Sequence, residues 1–173
     1  MTVRDVLHLG NPLLREKSLP VEDFSELGGL KEDLADTLSH WRRTTGYGRG
    51  IAAPQIGVLK RVVFINIDRP WLLVNPEIVS MSSEKMVVWD ACLSYLSIFF
   101  QVARSREIQV KYHDTDRKER EVSVNGALSE LLQHEIDHLD GILAIDRVVS
   151  LRTICTREEY EKRLGKTIES STE

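Results

Sequence analysis

The sequence predicts an α+β fold. Three observations carry this reading: leucines at helical spacing in two separated segments, β-rich runs gathered between those segments, and glycine-rich or polar joins where one pattern gives way to the next. Leu27, Leu30, Leu34 and Leu38, with Trp41 next, predict a helix over residues 25–43. Gly46, Gly48 and Gly50 then break it and open a glycine-rich loop. Residues 61–67 and 71–79 read as strands separated by Asp68-Arg69-Pro70. Residues 107–113 and 119–124 read as a strand pair around the polar turn Asp114-Thr115-Asp116. A second helix starts after Asn125-Gly126 and carries Leu128, Leu131, Leu132 and His138. A third, charged helix is expected over residues 156–164, where Arg157 and Glu161 stand four apart. Neither repeat nor linker interrupts this order, so residues 1–165 are expected to form one domain and residues 166–173 a polar tail.

The composition narrows the class of function. Hydrophobic residues make up 42% and charged residues 29% of 173, a globular balance with enough chain to bury a core without disulfide staples. A net charge of −4 gives no basic footprint for DNA or an anionic membrane. The longest apolar stretches fall far short of the ~20 residues of a membrane span, and Asp5 and His8 stand where a secretion signal needs an apolar run. With two cysteines there is no disulfide framework, so a cytoplasmic location is expected. Arg42, Arg43, Arg49, Lys60 and Arg61 read as solvated charge, since no aromatic residue interleaves with them as an RNA-binding patch requires.

The strongest chemical signal is His134-Glu135-Ile136-Asp137-His138, an H-E-x-x-H motif inside the second helix. Spacing of i, i+4 puts both imidazoles on one face, a turn apart, where they can share one metal ion. Glu135 is close enough to take a proton from water activated by that ion. A catalytic site needs a third protein ligand and one open position. Several sources fit by residue type: a later acid such as Glu158, Glu159 or Glu161, a lone histidine among His8, His40 and His113, or Cys92, whose soft sulfur with two imidazoles suits iron, zinc or cobalt. Position 144, where a metzincin places its third histidine, is Ala144.

Gly48-Arg49-Gly50-Ile51-Ala52-Ala53-Pro54-Gln55 resembles the G-φ-G-φ-A-A-x-Q motif of peptide deformylases. Asp90-Ala91-Cys92-Leu93-Ser94 resembles their E-G-C-L-S, and Gln133 to His138 with Leu139 and Gly141 resembles their Q-H-E-x-D-H-L-x-G, all in the family's order. The opening, from Val6-Leu7-His8 to Pro20-Val21, resembles the family's first strands. The resemblance implies antiparallel sheets packed around a central metal-binding helix. It implies Cys92, His134 and His138 as ligands of one divalent ion, Fe(2+) in the cell, with Zn(2+), Ni(2+) or Co(2+) as substitutes. It further implies that Glu135 takes a proton from water and returns it to the leaving amine, and that Gln55 and the backbone N–H of Leu93 face the oxyanion. Gly50 would offer its backbone to the substrate. The implied reaction releases formate from N-formylmethionyl nascent polypeptides, by a monomer with transient ribosome contact.

The departures from the family pattern bear on the pocket. Asp90-Ala91 stands where the family has Glu-Gly; Arg104 is the expected partner of Asp90, and Ala91 matters if that position needs a positive φ. Phe99 stands where many members have an arginine near the peptide backbone. Arg49 and Glu130 occupy positions that the family keeps apolar around the methionine side chain, while Val88 and Leu131 stay apolar and Ala127 is small. Burying a methionine is worth roughly 1.5–3 kcal/mol, and an unpaired carboxylate in such a pocket costs several kcal/mol. Three outcomes are open: Arg49 and Glu130 pair across the pocket, Glu130 turns to solvent, or the pocket is polar because the substrate is a more polar N-formyl amine. Two other classes compete with a deformylase: a zinc endopeptidase that takes its third ligand elsewhere than Cys92, and a non-catalytic relative that keeps the fold.

Overall fold

The computed structural model describes residues 2–164; the expected polar tail, residues 166–173, lies outside them. Asp23 opens the first helical segment by accepting the Ser25 N–H at 2.9 Å, which starts a 3-10 turn at Phe24–Glu26. Helix α1 follows at Leu27–Thr45, a shift of two residues from the expected helix at each end. Leu27, Leu34 and Leu38 are buried on one face, with Leu30 and Trp41 packed beside them. The helix stops at Gly46, whose φ of 79° is left-handed and whose N–H caps the Arg42 carbonyl.

Five strands form the larger sheet: β1 (Gly50–Ala52), β2 (Val62–Asn66), β3 (Pro70–Met81), then, beyond a hairpin that belongs elsewhere, β6 (Glu107–His113) and β7 (Glu119–Asn125). They run antiparallel in the order β1-β2-β3-β6-β7, which leaves β1 on an edge. β2 and β3 pair from Val62↔Val74 to Asn66↔Pro70, and β6 and β7 pair around Asp114, whose carboxylate accepts the Asp116 and Lys118 N–H groups. The intervening hairpin is β4 (Lys85–Asp90) with β5 (Ile98–Ser105); a two-residue strand, β8 (Cys155–Thr156), completes a second sheet in the order β4-β5-β8. Residues 6–21, expected to supply strands, hold instead a 3-10 turn at Pro12–Arg15 and one isolated bridge, Leu19↔Lys60.

Helix α2 (Gly126–Leu139) lies between these layers. Leu131, Leu132, Ile136 and Leu139 pack on Val63, Ile65, Leu73, Ile108 and Val110 of the larger sheet. Every residue from Ser129 to Leu139 is buried, so its polar side chains need partners inside the protein. Its C-terminal end is sealed by the N-terminal segment, where the Ser18 N–H donates to Leu139 O at 2.8 Å. Gly141, at φ 70°, turns the chain away so closely that a Cβ there would overlap the Arg15 carbonyl. The last helix, α3 (Arg157–Leu164), carries the expected Arg157–Glu161 pair at 3.5 Å.

Candidate active site and metal centre

The segment joining β4 to β5 carries Cys92 to the face of α2 that bears the two histidines. Cys92 Sγ lies 3.2 Å from His138 Nε2, and the ligand atoms of Cys92, His134 and His138 all fall within 4.8 Å of one another, buried. Two imidazoles and a thiolate at this spacing match what a tetrahedral ion with ~2.0–2.3 Å bonds asks of its ligands. The other sources of a third ligand are elsewhere: Glu159 pairs with Lys162 and Arg163, Glu161 takes the Tyr47 hydroxyl, and His113 packs edge-on against Phe24. A second group, Asp90, Glu130 and His134, also converges, but its two acids are engaged by Arg104 and Arg49.

The ligand cluster rests on a chain of buried charges. His134 Nδ1 lies 2.9 and 3.1 Å from the two oxygens of Asp90, which leaves its other nitrogen for Cys92. Arg104 Nη2 donates to Asp90 at 3.3 Å and Nη1 to Asp137 at 2.5 Å; Arg147 grips the same Asp137 through two N–H groups. Burial alone would raise Asp90, but His134 and Arg104 together hold its carboxyl down at about 2. Burial lowers His134, and Asp90 outweighs it, so that ring is raised well above its ordinary value. His138 has no such acid; burial and the neighbouring His134 hold it well below. The expected Asp90–Arg104 pair is therefore present. Ala91 is not among the described residues with positive φ, so the lost glycine costs no backbone strain.

Gln55 and Glu135 both line a cleft beside the cluster. Gln55 Oε1 accepts the Ala52 N–H at 2.9 Å, which turns Nε2 toward Cys92 Sγ (3.3 Å) and Ser94 Oγ (3.4 Å). Glu135 packs on Gly50 so tightly that a Cβ there would stand 2.7 Å from Oε1. The glycine thus makes room for the glutamate as well as for any ligand. Glu135 Oε2 is buried without a hydrogen-bond partner among the described residues, and burial pushes the carboxyl up to about 7. An unpartnered carboxylate oxygen beside two imidazoles and a thiol is the residue set a hydrolytic metal centre requires.

The cleft lined by His134, Glu135 and Gln55 has about 50 Å³ of free space and opens to solvent; Cys92 and His138 do not line it. Of the residues expected at the site, Gly50, Gln55, Leu93, Leu131, His134 and Glu135 line it, and so do Arg49 and Glu130. Arg49 Nη2 donates to Glu130 Oε2 at 2.6 Å, both side chains largely buried. The pair forms, and Glu130 does not turn to solvent. Val88 does not line the cleft: pairing with Val102 of β5 turns it into the cluster behind Cys92, with Tyr95 and Phe100. Phe99 is fully buried, stacked on Tyr160 of α3 with ring centroids 4.5 Å apart. Of the basic residues, Lys60 pairs with Glu26, Arg61 with Asp140, and Arg42 donates to the Asn66 carbonyl.

Several site residues were not singled out from the sequence. Tyr47 lines the cleft and donates its hydroxyl to Glu161 of α3 at 2.9 Å, and Leu96 lines it beside Leu93. Gln133 bonds both the N–H and the C=O of Ser105 and so fastens α2 to β5. Asp137 holds two arginines, and the signal for it was available: an acid on the wholly buried turn between two histidines needs a cation.

The same architecture recurs in known proteins. The polypeptide deformylase family model matches residues 3–153. A peptide deformylase of Bartonella tribocorum is 34% identical over 172 residues, covering 94% of each chain. The crystal structure of peptide deformylase from Thermotoga maritima is similar with a TM-score of 0.81 at 34% identity, covering 87% of this chain and 100% of that one. A Legionella pneumophila peptide deformylase structure gives 0.80 at 37% identity, covering 88% and 89%. With the family model matched over residues 3–153 and 34% identity to a relative over 94% of the chain, this chain belongs to the polypeptide deformylase family.

Proposed function

We propose that this chain is a metal-dependent hydrolase that removes the N-formyl group, as formate, from formylated polypeptide amino termini, with N-formylmethionyl nascent chains as the reference substrate. The observation that carries this reading is the convergence of Cys92, His134 and His138 beside the unpartnered carboxylate of Glu135. A divalent ion held by those three residues, Fe(2+) in our reading, would supply Lewis acidity, making water nucleophilic at neutral pH and polarising the formyl carbonyl. Glu135 takes the proton of the attacking water and hands it to the departing amine; a carboxyl raised to about 7 is suited to both transfers near neutral pH. Gln55 Nε2, held by the Ala52 N–H on its opposite end, and the Leu93 N–H stabilise the oxyanion. His134 and His138 stay fixed because Asp90, Arg104 and Asp137 brace the helix face that bears them. The edge of β1 at Gly50 receives the peptide backbone.

We further propose a cytoplasmic monomer with at most transient ribosome contact. Among the described residues no helix is long and apolar enough to cross a membrane. The test is formate release from formyl-Met-Ala-Ser by protein loaded anaerobically with ferrous iron. Release that disappears in Glu135→Ala, with iron content unchanged, supports the reading. Peptide-bond cleavage without formate would point instead to an endopeptidase.

A further inference from the structure

The cleft lined by Glu135 and His134 has a wall the reaction does not use. Arg49 immediately precedes Gly50, against which Glu135 packs, and Glu130 stands one helical turn before His134. Their ion pair at 2.6 Å faces the same cleft as Gln55 and His134. A group attached to the reacting amide and entering this cleft therefore meets the pair. Leu93, Leu96 and Leu131 give the cleft an apolar flank, and Tyr47, Gln55 and Asp90 also line it. The cleft thus offers an apolar flank and a dipolar end.

Building on the deformylase reading, we propose that the Arg49–Glu130 pair is the specificity element of this cleft, selecting N-formyl peptides or amines whose first side chain ends in a neutral hydrogen-bonding group over those ending in a thioether. The pair is neutral as a whole, so a charged side chain would break it or leave an excess charge in a buried setting. A thioether is a weak acceptor and donates nothing, so seating it against the pair strips water from two charges without replacement. A carboxamide replaces that water on both sides. Its N–H donates to the Glu130 carboxylate, which has acceptor capacity beyond the Arg49 bond, and its carbonyl accepts from the guanidinium. Its methylene stem lies along the leucines.

Glutamine and methionine side chains are of similar length, so formyl-Gln-Ala-Ser and formyl-Met-Ala-Ser compare chemistry with little change of shape. For iron-loaded protein we expect kcat/KM at least tenfold higher for the glutamine peptide. Arg49→Leu with Glu130→Ile, which fills the wall with apolar groups, should reverse the preference by tenfold or more. Glu130→Gln, which keeps the shape and removes the charge, should lower the glutamine-to-methionine ratio by at least threefold and covers the case in which the double variant fails to fold. Dissociation constants of the two formyl peptides for Glu135→Gln, measured by calorimetry, should show the same order without turnover. A wild-type preference for formyl-Met-Ala-Ser, or a ratio unmoved by the variants, overturns the proposal and leaves the deformylase reading intact. Formate from neither peptide, by protein carrying iron at full stoichiometry, overturns both.

Discussion

Two neighbouring turns of α2 handle buried charge in opposite ways. Around His134 the charges run in a braced series, from His134 through Asp90 and Arg104 to Asp137 and Arg147, with Asp90, Arg104 and Asp137 each held by two partners. One turn earlier, Glu130 is matched across the cleft by Arg49, from a different element. The first arrangement fixes the ring orientation of His134, as the hydrogen-bonded partners of ligating histidines do. The second rests on side chains that can change together without disturbing the first. The proposed chemistry and the proposed selectivity thus sit on one helix yet are supported separately.

The largest expected effect breaks the braced side at the proton carrier. Glu135→Gln should lower kcat for formyl peptide by about 10²–10⁴-fold, the usual contribution of a positioned acid–base group, while iron content measured by atomic absorption stays at the wild-type level. Retained activity would show that Glu135 is not the proton carrier. Next comes Cys92→Ala, which leaves two of the three proposed ligands. The variant should lose most bound metal on passage over a desalting column, whereas full retention would move the third ligand elsewhere and revive the endopeptidase reading. Removing metal from the wild-type protein with a chelator should abolish formate release and restore it on reloading. A smaller loss is expected from Asp90→Asn, which keeps shape but weakens the acceptor for His134. Metal affinity should fall by roughly 10–100-fold, as for other partners of ligating histidines, measured by competition with a chromophoric chelator.

The sequence made this contrast half legible. H-E-x-x-H declares itself because helix geometry turns a spacing of four into a shared face, and the glutamate comes with it. Cys92 is different: by residue type it was one of several third ligands, and the resemblance to E-G-C-L-S singled it out. The β4–β5 hairpin that aims it was not read at all, since Lys85–Asp90 is half-exposed and its burial follows no clean alternation. Arg49 and Glu130 could be flagged as misplaced charges, but 81 residues of chain separate them, and their pairing depends on β1 packing across α2. Val88 shows the same limit in reverse. An apolar residue near the cysteine fits a pocket by type, and only the β4–β5 register decides that it faces away.

Gly50 tests where the two sides meet, because its missing side chain accommodates Glu135 while its neighbour Arg49 reaches Glu130. Gly50→Ala should displace Glu135 and lower kcat for both formyl-Met and formyl-Gln peptides by about tenfold, a 1 Å-scale misplacement of an acid–base group being costly. A change confined to one peptide would instead place Gly50 on the selective wall.

The smallest expected effect comes from an ion pair outside both walls. Arg15 and Asp146 pair on the surface, and Asp146 also accepts the Leu143 N–H at 2.9 Å. Burial raises Asp146, but the hydrogen bonds from Arg15 and the Leu143 N–H, with the charges of Arg15 and Arg147, together outweigh it and leave the carboxyl below its ordinary value. A depressed carboxyl stabilises the fold at pH above its unfolded value, near 3.9, and that contribution is lost as pH falls through the folded value. With the side chain 39% exposed, solvent screening holds the pair to no more than ~1 kcal/mol. Asp146→Asn should therefore lower the urea midpoint slightly at pH 7 and leave it unchanged in acid, with no change in the glutamine-to-methionine ratio. The buried pair at Arg49 and Glu130 should behave oppositely, moving the ratio strongly. Equal effects on selectivity from both pairs would mean that charge in general, rather than its place in the cleft, tunes the enzyme.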